Sequence, residues 1–68
     1  MAEMDDLRGL NDADLADELD NSQRALMNLR FRSATMQLSD AHAIRKARRR
    51  IARIYTIMRE RELALAIQ

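Results

Sequence analysis

The sequence predicts an all-α fold, an antiparallel two-helix hairpin with coiled-coil-like packing and a short extra helical turn at the N-terminus. The 68 residues contain no proline and only one glycine, which favours long uninterrupted helices. Apolar residues recur at steps of three and four in two separate stretches, as they do along one face of a helix. The two faces match in length, so they can cover each other. We expect a single helical-hairpin domain over residues 1–68.

The first element is a short helical turn from Met4 to Arg8. Gly9 follows it and suits the left-handed backbone conformation that ends many helices. Asn11 is then a good N-cap for the next helix, with Asp14 as the third residue of its first turn. Acidic residues in the first turns also interact favourably with the helix dipole. The first long helix should therefore begin just after Asn11.

Two long helices are expected at about residues 12–37 and 41–67, joined by a turn at about 38–40. Asp40 is a plausible N-cap for the second helix. The face that the first helix turns to its partner comprises Leu15, Leu19, Ser22, Leu26, Leu29, Ser33 and Met36. The matching face of the second helix comprises Ile44, Ala47, Ile51, Ile54, Met58, Arg61 and Leu65.

Folding the chain back at the turn places residues whose numbers add to about 80 opposite each other in the hairpin. Leu15 then meets Leu65 near the chain ends, and Ser33 meets Ala47 near the turn. The interface buries little, and Arg61 can only lay its aliphatic stem along it with the charged head in water. Such a hairpin should be weakly stable alone and stabilised by a bound partner. The alternative is a homodimeric four-helix bundle.

The net charge of +1 hides a strong asymmetry. Residues 1–23 hold eight acidic residues and one basic residue, whereas residues 24–53 hold nine basic residues and one acidic residue. Such a split indicates an oriented electrostatic role, in which one end of the molecule binds an anionic partner. The alternative is that the basic and acidic halves pair with each other.

The second helix carries a basic stripe. Its members on the side away from the apolar face are His42, Arg45, Lys46, Arg49 and Arg53, with Arg48 and Arg50 on the flanks. Like charges at these spacings repel each other, so a sequence that tolerates them usually has an anion to bind there. Arg30 and Arg32 extend the stripe at the turn, where Gln37 and His42 can add neutral hydrogen bonds.

Arginine suits phosphate, because its planar guanidinium binds two phosphate oxygens at once. A membrane-binding helix would place bulky apolar residues beside the basic face, and a DNA reader would usually show base-reading side chains with dimer symmetry. RNA held through shape and phosphate contacts needs only well-placed arginines. We therefore expect an RNA-binding stripe, with a solvated charged face as the alternative.

Catalytic, metal and cofactor sites have no candidate residues. The chain has no cysteine, and His42 is its only histidine, so no metal site or catalytic pair can be assembled around it. The enzyme alternative is a small helical mutase of the chorismate type. It would need a third long helix and buried catalytic arginines, whereas this sequence predicts two long helices and outward-facing arginines. No apolar run approaches the roughly 20 residues of a membrane span, and the acidic N-terminus is unlike a secretory signal. We expect a cytoplasmic protein that is not an enzyme and uses no cofactor.

Met27 and Phe31 lie one turn apart on the first long helix, away from its partner-facing side. We expect Met4 and Leu7 of the N-terminal turn to cover them. The alternative is that they are protein contacts or stack on a base. The competing function is accordingly a helical-hairpin module that binds a protein through Met27, Phe31 and the apolar tail at residues 63–67.

Five segments of the chain resemble one known family. They are LNDADL at 10–15, NLRF at 28–31, QL at 37–38, RRRIAR at 48–53 and YTIMRERE at 55–62, with His42 and Ile44 between them. Together they resemble the small helical-hairpin family of the bacterial large ribosomal subunit, number twenty-nine in the large-subunit series. The last segment is similar to the actinobacterial branch. Met36 and Ala41 stand where many relatives have glycine and proline, which leaves the turn less constrained.

The resemblance implies a structural component of the large ribosomal subunit, present in one copy, that binds the main ribosomal RNA. It also implies a position near the polypeptide exit, beside another ribosomal protein and near factors that meet nascent chains. The residues expected to bind RNA are Arg30, Arg32, Gln37, His42, Arg45, Lys46, Arg48, Arg49, Arg50 and Arg53.

Overall fold

The computed structural model describes residues 2–35 and 41–67, except for the side chains of Ala2 and Ile67. Its helices are α1 (Ala2–Arg8), α2 (Asp12–Ala34) and α3 (Ala41–Ile67), and the described residues contain no strand. The two long helices pack side by side in opposite directions, forming a rod of 50 × 21 × 16 Å. The predicted all-α antiparallel hairpin with an extra N-terminal helical segment is therefore confirmed. The predicted turn at 38–40 and its neighbours Met36, Gln37 and Asp40 lie outside the described residues.

The start of α2 matches the capping arrangement predicted from the sequence. Asn11 has an extended backbone (φ −73°, ψ 172°), and its side-chain oxygen accepts a hydrogen bond of 2.8 Å from the backbone N–H of Asp14. The Asn11 carbonyl accepts the first intrahelical bond, from the N–H of Leu15 at 2.9 Å. This cap satisfies one of the backbone N–H groups that every helix leaves unpaired at its N-terminus.

The end of α1 differs from its prediction. Gly9 donates its backbone N–H to the carbonyls of Asp5 (3.1 Å) and Asp6 (3.3 Å), and its φ is outside the left-handed region. The predicted left-handed conformation at Gly9 is therefore wrong. Because Leu10 also donates its N–H to the Leu7 carbonyl, successive turn-like bonds end the helix without requiring a glycine.

The buried core lies at the end of the hairpin away from the turn, where all three helices meet. Leu7, Leu15, Ile54 and Ile57 form it. Four partly buried residues pack around this cluster: Met4, Leu10, Leu19 and Met58. Each fully buried aliphatic side chain contributes about 1.5–3 kcal/mol to folding. The core therefore depends on α1, which supplies Leu7.

Ile57 is a core residue that the predicted face of α3 omits. Its side chain is only 1% exposed. The omission has a physical cause: α3 packs against both α1 and α2, so it buries a wider face than a helix with a single partner. The α1 helix runs in the same direction as α3, since Glu3 contacts Arg50 and Arg53 while Arg8 contacts Glu60.

The register between α2 and α3 differs from the prediction, by two residues where Gln23 meets Tyr55. Gln23 donates a hydrogen bond of 3.0 Å to the Tyr55 hydroxyl, two residues nearer the turn than the predicted partner. Leu15 lines a depression with Met58 and Arg61 as well as Leu65, yet Leu65 is 72% exposed. The predicted contact between these two leucines therefore covers little of Leu65.

The end of α2 also differs from its prediction. Helix α2 ends at Ala34, and the Thr35 hydroxyl and N–H donate to the carbonyls of Arg32 and Phe31, both at 3.1 Å. The helix therefore ends three residues before its expected end at about residue 37. Ser33, expected in the interface, is exposed.

Arg61 is also placed differently from its prediction. Its guanidinium does not extend into water but donates to the Arg8 carbonyl (3.2 Å), the Leu10 carbonyl and the Asp12 carboxylate (2.7 Å). A cation near backbone carbonyls at a helix C-terminus satisfies acceptors that the helix itself cannot. Arg61 thus fixes the connection between α1 and α2 against α3.

Candidate nucleic-acid interface

Six basic side chains are exposed and make no ion pair within residues 2–35 and 41–67. They are Arg30, Arg32, Arg45, Lys46, Arg48 and Arg49. We call these six residues the open cations. All of them lie on the half of the hairpin nearer the turn, on the last turns of α2 and the first turns of α3.

The open cations of α3 lie close together because of helical spacing. Arg48 and Arg49 follow Arg45 by three and four residues, which places them beside it on the helix surface. Together with Ala52, these three arginines line one shallow depression. Arg48, predicted on the flank of the stripe, therefore shares a surface with Arg45 and Arg49. Three exposed guanidinium groups around one depression can bind several phosphate oxygens at once.

Arg50 and Arg53, also predicted to bind RNA, are held in a network of ion pairs. Arg50 donates to Glu3 (2.9 Å) and Glu18 (2.8 Å), and Arg53 donates to Glu3 (2.6 Å). Their side chains are 38% and 24% exposed. The alternative considered from the charge distribution, that acidic and basic regions pair with each other, is therefore realised at these two positions.

The Arg50 guanidinium is stabilised in its charged form. The hydrogen bond that Arg50 donates to Glu18 raises the pKa of Arg50, partial burial opposes this increase, and the hydrogen bond to Glu3 adds to it. A pKa that is raised on folding stabilises the folded state at every pH below the unfolded-state pKa. This stabilisation is lost only as the pH rises through the folded-state pKa. Because the pKa of an arginine lies far above neutral pH in both the folded and the unfolded state, Arg50 keeps its positive charge at every pH near neutrality.

The remaining cations are paired on or near the terminal end. Arg8 pairs with Glu60, Arg24 with Asp20, Arg59 with Glu62 and Arg61 with Asp12. Six of the twelve basic residues are thus neutralised by neighbours, and every one of the open cations falls between residues 30 and 49. The sequence alone did not reveal this division, because the partners of Arg50 and Arg53 come from α1 and the distant end of α2.

Two predicted hydrogen-bonding residues complete the list of candidates. His42 is exposed on the first turn of α3. Gln37 lies outside the described residues. Within the part of the chain that the structure describes, no group of carboxylates and histidine has the arrangement of a metal site. No described helix combines the length and apolar character needed to cross a membrane.

Met27 and Phe31 are exposed to 69% and 68%, so the expectation that Met4 and Leu7 cover them is wrong. Met4 and Leu7 pack instead at the terminal core. Met27 lines a shallow groove with Gln23, Leu26, Arg30 and Ile51. The groove places apolar surface directly beside one of the open cations.

The chain is similar to known proteins over most of its length. Residues 5–61 match the family model described as Ribosomal L29 protein. The chain is 52% identical over 61 residues to the large ribosomal subunit protein uL29 of Mycolicibacterium smegmatis, covering 90% of this chain and 79% of that protein. It is 49% identical over 65 residues to the protein of the same name from Frankia alni, covering 96% of this chain and 73% of that protein. The matches extend over most of the sequence and establish that this chain belongs to the ribosomal L29 protein family.

Proposed function

We propose that this protein is a structural, non-enzymatic component of the large ribosomal subunit in the cytoplasm and binds ribosomal RNA through the open cations. One observation carries the proposal: the six basic side chains that make no ion pair among the described residues lie together at the turn end of the hairpin. Family membership supports the ribosome as the site of assembly.

The mechanism is phosphate neutralisation on a rigid support. The two packed helices fix the backbone positions of the open cations, so little backbone freedom is lost when RNA binds. Arginine forks contact phosphate oxygens in pairs, and the release of condensed counterions makes the affinity strongly dependent on salt. Contacts of this kind recognise the shape of a folded RNA rather than its base sequence.

The other predicted residues have secondary roles in this proposal. Gln37 and His42 add neutral hydrogen bonds at the turn. Arg50 and Arg53 adjoin the open cations along α3 but are already paired with Glu3 and Glu18. We therefore assign the main phosphate contacts to the open cations alone.

A protein contact is proposed beside the RNA contact. The exposed side chains of Met27 and Phe31, next to the groove lined by Leu26 and Ile51, offer apolar area for a neighbouring ribosomal protein. The family resemblance suggests the polypeptide exit as the location, where factors that meet nascent chains also bind. This contact is compatible with RNA binding, because the cations of α3 lie on a separate depression.

The RNA proposal is tested by measuring the affinity for deproteinised large-subunit ribosomal RNA as salt is raised. Six phosphate contacts predict a log–log slope of roughly −4 to −5, from about −0.7 to −0.9 for each contact. The variant Arg45→Gln/Arg49→Gln should reduce the magnitude of the slope by about 1.4–1.8.

The matched control is Arg24→Gln/Arg59→Gln, which removes the same charge from two exposed arginines that already pair with Asp20 and Glu62. Its slope should stay at the wild-type value. A flat salt dependence of the wild-type protein, or equal losses in the two variants, contradicts phosphate binding by the open cations.

A further inference from the structure

We infer that Glu3 and Glu18 set the edge of the phosphate-binding surface by holding Arg50 and Arg53 within the protein. This inference rests on the proposed RNA-binding function and adds the position along α3 at which the phosphate-binding surface ends. Without these two carboxylates, the basic surface of α3 would continue from Arg45 to Arg53, about 12 Å along the helix axis. With them, it ends near Arg49, after about 6 Å.

The first support is the geometry of the guanidinium of Arg50. Its Nη1 donates to Oε1 of Glu3 and its Nη2 donates to Oε2 of Glu18. A phosphate bound in the usual two-point manner would need terminal nitrogens of this kind. Both already donate to a carboxylate, so a phosphate must either displace one of the carboxylates or use the remaining N–H groups beside two negative charges.

The second support is the position of Glu3, whose two oxygens bind different arginines. Oε1 accepts from Arg50 at 2.9 Å, and Oε2 accepts from Arg53 at 2.6 Å. The four side chains together carry two positive and two negative charges. An approaching phosphate therefore meets a group with no net charge, whereas at the open cations it meets an uncompensated positive charge.

The third support is the docking of α1, which keeps Glu3 in place. Leu7 is buried in the core, and Met4 packs against it. Arg61 binds the carbonyls of Arg8 and Leu10 at the other end of the helix. Glu3 is thus a tethered competitor at high effective concentration, and a phosphate must compete with it on every encounter.

The surroundings add to the exclusion of phosphate. Asp6, exposed and without an ion pair among the described residues, lines the same depression as Glu3, Glu18 and Arg50. A polyanion lying along α3 would therefore meet repulsion beyond Arg49. Glu3 and Glu18 restrict binding to RNA that fits the turn end and reduce non-specific binding of extended polyanions.

The decisive variant is Glu3→Gln/Glu18→Gln, which keeps the side-chain size and removes both negative charges. Two released arginines should steepen the log–log salt slope by about 1.4–1.8. The loss of affinity between 50 and 200 mM salt should then grow about 7- to 12-fold over that of the wild type. The matched control, Asp5→Asn/Asp17→Asn, removes two exposed carboxylates that make no described ion pair and should leave the slope near the wild-type value.

A second measurement needs no RNA and separates this inference from the proposed function. Phenylglyoxal modification of the free protein, followed by peptide mass spectrometry, reports the accessibility of each arginine. Arg50 and Arg53 should react several-fold more slowly than Arg45 and Arg49 in the wild type. In Glu3→Gln/Glu18→Gln, they should approach the rates of Arg45 and Arg49.

The outcomes are distinct. Equal reactivity of all four arginines in the wild-type protein overturns the inference, whatever the RNA result. An unchanged salt slope in the Glu3→Gln/Glu18→Gln variant, with helicity retained by circular dichroism, also overturns it. A flat wild-type slope combined with slow modification of Arg50 and Arg53 contradicts the RNA function while leaving the internal masking intact.

Discussion

The two ends of this hairpin differ in almost every physical property. The terminal end, which comprises α1, residues 12–22 and residues 54–67, contains all the buried side chains of the described chain. The turn end, which comprises residues 23–35 and 41–53, contains none of them, yet it carries all the open cations. Folding energy is concentrated at one end and uncompensated charge at the other.

The separation of the buried core from the open cations shows how a very small protein can present a dense basic surface. Clustered like charges destabilise a helix, so the stabilising contacts must come from elsewhere. Here α1 adds a third helix at the terminal end and completes a core around Leu15 and Ile54. We expect the terminal end to supply most of the stability of the free hairpin and bound RNA to stabilise the turn end further.

The largest expected effect is the loss of the core at Ile54. Ile54→Ala should lower the free energy of unfolding by about 2–5 kcal/mol, because Ile54 is 0% exposed and its loss leaves a cavity. In a 68-residue protein this is enough to unfold much of the isolated chain. Urea unfolding followed by circular dichroism measures it.

The control for Ile54→Ala is Leu65→Ala on the same helix. Leu65 is largely exposed, so its replacement should change the stability by less than about 0.5 kcal/mol. Equal losses at the two positions would show that the predicted contact between Leu65 and Leu15 carries real burial. The division into a structural end and a binding end would then need to include the last turns of α3 in a larger core.

The features that the sequence predicted well are local ones. The Asn11 cap depends on residues three positions apart, and the exposure of Arg45 and Arg49 follows from their place on a helix with one apolar side. In each case, the information needed lies within a few turns of one helix.

The features that it missed depend on how separate elements dock. The register of α2 on α3 depends on contacts between two separate helices, and several polar residues near Ala34 could have ended α2. The burial of Ile57 and the pairing of Arg50 and Arg53 require the position of α1, a seven-residue helix. The charge asymmetry allowed this pairing as an alternative, but no sequence periodicity places Glu3 beside those arginines.

A smaller effect is expected at Arg61, which joins α1 to the rest of the terminal end. Arg61→Met keeps the aliphatic stem and removes the bonds to Arg8, Leu10 and Asp12. It should destabilise the protein by about 1–3 kcal/mol, because hydrogen bonds from a charged donor are lost and carbonyls at the end of α1 remain unpaired. Thermal unfolding by circular dichroism measures the change.

Arg59→Met is the matched control for Arg61→Met. Arg59 pairs only with Glu62 three residues away, in an exposed pair worth a few tenths of a kcal/mol. A comparable loss in both variants would mean that the carbonyl contacts of Arg61 add nothing to the docking of α1. The terminal end would then be held by its apolar core alone.

The smallest effect concerns Gly9, at the junction between α1 and α2. Since φ at Gly9 is not positive, and a Cβ there would come no closer than 3.4 Å to the Asp6 carbonyl oxygen, alanine fits. Gly9→Ala should stabilise the protein by about 0.4–1 kcal/mol, because alanine restricts the unfolded chain more than glycine does. Urea unfolding measures whether the free energy of unfolding rises or falls, and the salt slope of RNA binding should not change because Gly9 lies far from the open cations.

A destabilisation of about 1 kcal/mol would instead support the left-handed conformation that the sequence suggested at Gly9. The connection from α1 would then take another path, and the position of Glu3 over Arg50 and Arg53 would have to be measured anew.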